Sequence, residues 1–312
     1  MPKTFIHFTI LAALISTASF AQTDPWWKQQ KINFMWGLWG IANPDTSKAD
    51  WARPVPPRVF QNAAQAGATV FADTWQYSTD HARKAKAFGL KYFPTSHLHH
   101  MEWLPGPGRA WITRTGETGF RKGQDNPDYP LKCPLDSSVW ERWLASDAMR
   151  EGIRTGLVDG IHTDWESPQT GVTFCYCDVC FARFLNRWQI EAELPDRRER
   201  YAWLDQHGHL DAYHDKQVFS AQRIEMFTRI RRKLQAIKPD LMFSSYALGV
   251  TDFTQAMHTP QVPFVLLDSR HYYNDDRQPW WESYQTRLKQ EGYLYIPGGW
   301  TNALFGSQPS QV

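Results

Sequence analysis

Short apolar runs alternate with segments of helical spacing along most of this chain, and that alternation limits the fold more than any other feature. "INFMWGLWGI" (residues 32–41), "ATVFADTW" (68–75), "LKYFPTSHL" (90–98), "LVDGIHTDWE" (157–166), "LMFSSYALG" (241–249), "PFVLLDSRHYY" (263–273) and "YLYIPGGW" (293–300) read as seven strands. Residues 56–67, 79–89, 137–156 and 279–292 read as helices. Ser137 or Ser138 is the expected cap of the third, with Gly156 as its stop. A longer helical stretch covers 177–240, and its last part sets Ile224, Phe227, Ile230, Leu234 and Ile237 on one face. Apolar strands joined by helices predict a parallel sheet covered by helices. No Gly-rich phosphate loop follows the first strand, which argues against a dinucleotide fold. Seven strands within residues 32–300 predict a (β/α)8 TIM-type barrel, incomplete at the C-terminus because no eighth strand is identified before the polar tail 307–312.

The 312 residues are 42% hydrophobic and 21% charged, enough for one large domain with a sizeable core. The net charge is +2 and the charges are mixed, so no nucleic-acid footprint is expected. The 16 Trp, 12 Tyr and 18 Phe exceed ordinary usage. Most belong in the core, but aromatic faces also suit ligands with apolar C–H faces and hydroxylated rims.

Residues 1–21 read as a signal peptide: Lys3 is positive, 5–19 is mostly apolar, and Ser19-Phe20-Ala21 is a small-x-small cleavage site. The apolar run is short for a membrane span. A periplasmic or secreted protein is therefore expected, with the barrel in residues 22–306. In an oxidising compartment four cysteines first imply two disulfides. Yet Cys175, Cys177 and Cys180 crowd into C-x-C-x-x-C, and Cys133 is the one other cysteine. Four thiolates on one tetrahedral zinc fit this spacing better, with disulfides or free thiols as the alternative.

In a barrel the active site lies at the C-terminal ends of the strands. The candidates there are Trp36 on the first strand, then Asp73 and Trp75, then His97, His99 and His100. The fourth strand ends with His162, Asp164 and Glu166, which alternation places on one face. Tyr246 ends the fifth, Asp268, Arg270 and Tyr273 the sixth, and Trp300 the seventh. Three ionisable groups on one buried face are costly unless they do something. His97, His99 and His162 are alternatively the ligands of a metal-dependent hydrolase.

"VDGIHTDWE" resembles the fourth-strand signature of family 18 glycoside hydrolases, D-G-x-D-x-D-x-E, departing at His162 and Thr163. "CYCDVCFARFLNRW" resembles the cysteine segment of family 42 β-galactosidases, where an acid/base Glu ends strand four and C-x-C-x-x-C begins nine residues later. Glu166 and Cys175 reproduce that interval, and Cys133 stands where the fourth zinc ligand belongs. That family's Asn before the Glu is replaced by Trp165, and "YIPGGWTN" lacks its strand-seven nucleophile. Bacterial hypothetical glycosyl hydrolase families with a C-Y-C-x-x-C segment are more similar still. The resemblance implies a secreted glycoside hydrolase acting on oligo- or polysaccharide, with Glu166 as general acid/base and Asp164 or Asp268 as second carboxylate. The zinc would be structural, since four thiolates leave no open position. The alternative is a non-catalytic carbohydrate-binding barrel.

Overall fold

Every run read as a strand forms one in the computed structural model, which describes residues 24–36, 55–73, 77–96, 107–120, 130–165, 174–247, 250–267 and 278–296. The strands are β1 (Phe34–Trp36), β2 (Val70–Ala72), β3 (Lys91–Phe93), β4 (Thr95–Ser96), β5 (Gly160–Trp165), β6 (Met242–Ala247), β7 (Val265–Leu267) and β8 (Leu294–Ile296). Residues 1–31 and 32–312 are two separate units. The first contains α1 (Trp26–Gln29). All the strands belong to the second.

The run 90–98 is one strand in sequence and two in space. Proline has no N–H to donate to a ladder, and Pro94 divides the run into β3 and β4. β1, β2 and β3 form one sheet in that order; β4 to β8 form another in theirs. Every pairing among these eight strands is parallel. Since one residue separates β3 from β4, spatial order follows chain order throughout. A doubly wound sheet would reverse direction at a switch point. A barrel unrolls to this sequential order. Among the described residues no pairing joins β1 to β8.

The helices between the strands are α2 (Pro57–Gln65), α3 (Thr79–Ala87), α4 (Ser137–Leu144), α5 (Asp147–Arg154), α6 (Asp178–Arg187), α7 (Arg200–Gln206), α8 (Leu210–Tyr213), α9 (Lys216–Gln235), α10 (Asp252–Met257) and α11 (Gln278–Gln290). Three expectations are corrected. The segment 137–156 is two helices, because the Ser146 side chain accepts from the Met149 N–H and starts α5 afresh. The first of them is capped by Asp136, not by Ser137 or Ser138. The stretch 177–240 is four helices. Helix α10, capped by the reciprocal Thr251–Thr254 pair, was not anticipated.

Strand alternation divides the sheet into two faces. Phe71, Tyr92, Ile161, Phe243 and Leu266 share one core with helix residues such as Phe60, Ala82, Trp140, Ile153, Phe227, Phe253 and Leu288. Their neighbours Val70, Phe93, His162, Met242, Ser244 and Val265 are as fully buried but lie outside that core. None of these residues belongs to the cluster that packs against the helices, as expected of a barrel interior. This second face is tightly filled at β5. A Cβ on Gly160 would lie 2.4 Å from the Phe93 ring and 2.8 Å from the Met242 carbonyl oxygen. Gly160→Ala should therefore cost about 1–3 kcal/mol, as overpacking does. A lower urea midpoint at unchanged slope would register it; an unchanged midpoint would show that the face has room.

Candidate functional site

The four cysteines come together from two distant segments. The bridge between Ala110 and Lys132 delivers Cys133, whose N–H donates to the Arg109 carbonyl at 2.8 Å. On the other segment the Tyr176 N–H donates to the Ile112 carbonyl at 3.0 Å, and the Ile112 N–H reaches the Cys175 sulfur at 3.4 Å. Cys177 is the N-cap of α6 and Cys180 sits in its first turn. A helix N-terminus favours thiolates. Sulfur hydrogen bonds, first that with Cys133, push the Cys177 thiol well below its ordinary pKa.

All four cysteines are buried and unbridged, with their sulfurs within 4.8 Å of one another. Cys133 lies 3.4 Å from Cys180 and 4.0 Å from Cys177. Zinc–sulfur bonds of about 2.3 Å in a tetrahedron set sulfurs about 3.8 Å apart, whereas a disulfide needs about 2.05 Å. The geometry fits a metal ion. A second apolar cluster surrounds it, including Ile112, Leu135, Tyr176, Phe181, Phe184 and Leu204. The Tyr213 hydroxyl donates to the Cys175 carbonyl at 2.6 Å, and buried Arg200 donates to the Tyr176 carbonyl at 2.5 Å. Both pin the ligand loop.

The candidate carboxylates belong to β5 and its neighbours. His162 is fully buried on the face opposite Ile161, with Nδ1 2.9 Å from the Ser244 hydroxyl. Two residues on, Asp164 pairs in register with Tyr246, and Tyr246 with Leu267. Glu166 follows β5 directly, His97 follows β4 and Asp268 follows β7 in the chain. Glu166, Asp268, Trp75, His97, His99, His100, Arg270, Tyr273 and Trp300 lie outside the described residues, as do the side chains of Trp36, Asp164 and Tyr246.

Asp73 is the expected pocket residue whose carboxylate is described, and it faces the other way. Alternation puts it with Phe71, on the helix side. Its Oδ2 accepts the Tyr92 hydroxyl at 2.7 Å and lies 2.6 Å from Nδ1 of His81 on α3. Its carbonyl accepts the Thr95 hydroxyl, and its N–H donates to Phe93 at 2.8 Å, so Asp73 spans the Pro94 break. Burial, then the Asp73 charge, pushes the Tyr92 pKa well up. Tyr92→Phe removes a donor from a buried carboxylate and should cost about 1–3 kcal/mol. Thermal or denaturant melting checks this; full stability in the variant would mean that the other partners of Asp73, His81 among them, satisfy it. Counting by twos from Phe71 would have put Asp73 on this side from the sequence. Asp159, the first acid of "VDGIHTDWE", is likewise engaged: it pairs with Lys86 and accepts the Tyr92 N–H at 2.9 Å, before β5 begins.

The fold so described is parallel α/β with sequential strands. Its likeness to solved structures is low. The chain is similar to a β-galactosidase from Halorubrum lacusprofundi, with 13% identity, a TM-score of 0.44, and coverage of 68% of this chain and 37% of that one. It is similar to the β-galactosidase of Marinomonas ef1 at 12% identity and TM-score 0.40, covering 72% and 41% respectively. For the catalytic domain of a Paenibacillus polymyxa β-amylase the values are 10%, 0.41, 77% and 80%. The chain thus spans well under half the length of either β-galactosidase. No protein-family model and no curated protein sequence matches it.

Proposed function

We propose that this protein is a secreted glycoside hydrolase working with two carboxylates, built beside a structural zinc centre. The observation that carries the reading is the face of β5 that lies outside the helix-packed core. There the buried His162–Ser244 pair leads along one strand to Asp164, and the chain continues into Glu166. Glu166 is the general acid/base. Asp164 or Asp268 is the second carboxylate, about 5–5.5 Å away for retention or about 6.5–9.5 Å for inversion. Like charges this close keep one acid protonated and the other ionised, which is the division of labour required. Trp36, Trp75, His97, His99, His100, His162, Tyr246, Arg270, Tyr273 and Trp300 complete the sugar site; Asp73 serves it indirectly, by holding β2 to β4.

Zinc held by Cys133, Cys175, Cys177 and Cys180 supplies folding energy and no open position for water. Residues 1–21 direct export. No helix among the described residues is long and apolar enough to cross a membrane.

The test is hydrolysis of a panel of aryl glycosides together with plant and algal oligosaccharides. Cleavage of at least one, lost in Asp164→Asn without loss of the fold, is the expected result. Oligosaccharide binding with no turnover on any member would replace the enzyme by a carbohydrate-binding barrel.

A further inference from the structure

A metal centre of four thiolates carries net negative charge, and this one is buried, so something must balance it. Two balancing features are the N-terminus of α6 at Cys177 and the Ile112 N–H on the Cys175 sulfur. Both carry partial charges. A full positive charge comes from the arm that delivers Cys133. Gly108, at φ +151°, has Val139 2.6 Å from where a Cβ would stand. Only glycine allows this close approach, which lays the next residue, Arg109, against the 133–136 turn. The Arg109 N–H donates to Asp136 at 2.6 Å, and its carbonyl accepts from Cys133. Its Nη2 donates to the Leu135 carbonyl at 3.1 Å. Its Nε is buried with no hydrogen-bond partner among the described residues.

We infer that Arg109 is the counter-charge of the four-cysteine centre and a determinant of its metal affinity, a positioning role that rests on the zinc reading above. The Leu135 carbonyl thus holds the guanidinium on the turn that carries Cys133. Burial works against this charge, and the negative charges of Cys133 and Asp136 outweigh it, raising the Arg109 pKa. Partners behind the ligands of a metal site commonly set affinity by about 10–100-fold.

The experiment is chelator competition on the cobalt(II)-loaded full chain, read by thiolate-to-cobalt absorption. Arg109→Gln should release cobalt at about 10–100-fold lower chelator concentration. Its spectrum at saturation should match the wild type, showing an unaltered ligand set. Arg109→Met, which keeps the stem packed, should behave like Arg109→Gln and serves if that variant does not fold. Arg109→Lys should recover most of the affinity, because it restores the charge without the fork on Leu135. Wild-type affinity in both uncharged variants would overturn the inference. So would an Arg109→Lys protein as weak as they are, since the role would then be the fork and not the charge. If the wild type shows no thiolate-to-cobalt absorption, the zinc reading falls first and this inference with it.

Discussion

Cys177→Ser is expected to cost several kcal/mol of stability and to abolish stoichiometric zinc. Elemental analysis of wild-type protein purified without added metal should find about one zinc per chain, and the variant should hold far less. The size follows from coupling between binding and folding: structural zinc sites supply about 10–16 kcal/mol in small domains. Cys177 is central, since it caps α6 and lies beside Cys133. Its loss should loosen the second apolar cluster before the sheet. Near-ultraviolet signals from Tyr176, Tyr213 and Trp203, which pack there, should therefore fade at lower denaturant than the far-ultraviolet signal. A chelator should reproduce the effect in the wild type. Zinc-free wild-type protein with two disulfides by mass spectrometry would end the metal reading.

The second large effect concerns Glu166. Glu166→Gln keeps the size of the side chain and removes its proton, and general acid catalysis contributes about 10²–10⁴-fold. On natural oligosaccharides, whose leaving groups need that proton, turnover should fall by about this factor. On aryl glycosides with good leaving groups the fall should be much smaller. The alkaline limb of the pH–rate profile, set by the protonated acid, should flatten. Asp164→Ala and Asp268→Ala should behave differently, because the second carboxylate is needed for both kinds of leaving group. Equal slowing of good and poor leaving groups in Glu166→Gln would remove Glu166 from the role of acid.

Much of this fold was legible in the sequence because strands leave a local mark. Runs such as "LMFSSYALG" are short, apolar and flanked by helical spacing, and each became a strand. Local marks also mislead where two states share them. Pro94 sits inside an apolar run and reads as part of it, although it divides β3 from β4. Ser146 is tolerable inside a helix and equally good as a cap, and only packing chooses the cap. The C-x-C-x-x-C segment was legible as part of a thiol cluster able to hold a metal because its cysteines are close in sequence. Cys133 was assigned to it as the remaining cysteine, and the structure brings it there. Arg109 left no mark, since its role depends on which arm crosses the turn at Cys133. Asp73 was read from its position at a strand end; its side of the sheet, with Tyr92 and His81, follows from counting residues along the strand.

The cysteine centre also bears on how quickly the chain can find its fold. The widest gaps between paired strands flank β5: Thr95 pairs with His162, and His162 with Ser244. Closing long connections carries an entropic cost, and distant pairings slow folding. Cys133 lies in the first of these connections and Cys175, Cys177 and Cys180 in the second. A metal ion held by all four would tie the two together across the strand that carries Asp164. Refolding started with zinc present should dock β5 sooner than refolding in chelator, while the early pairing of β1 with β2 should proceed at the same rate in both.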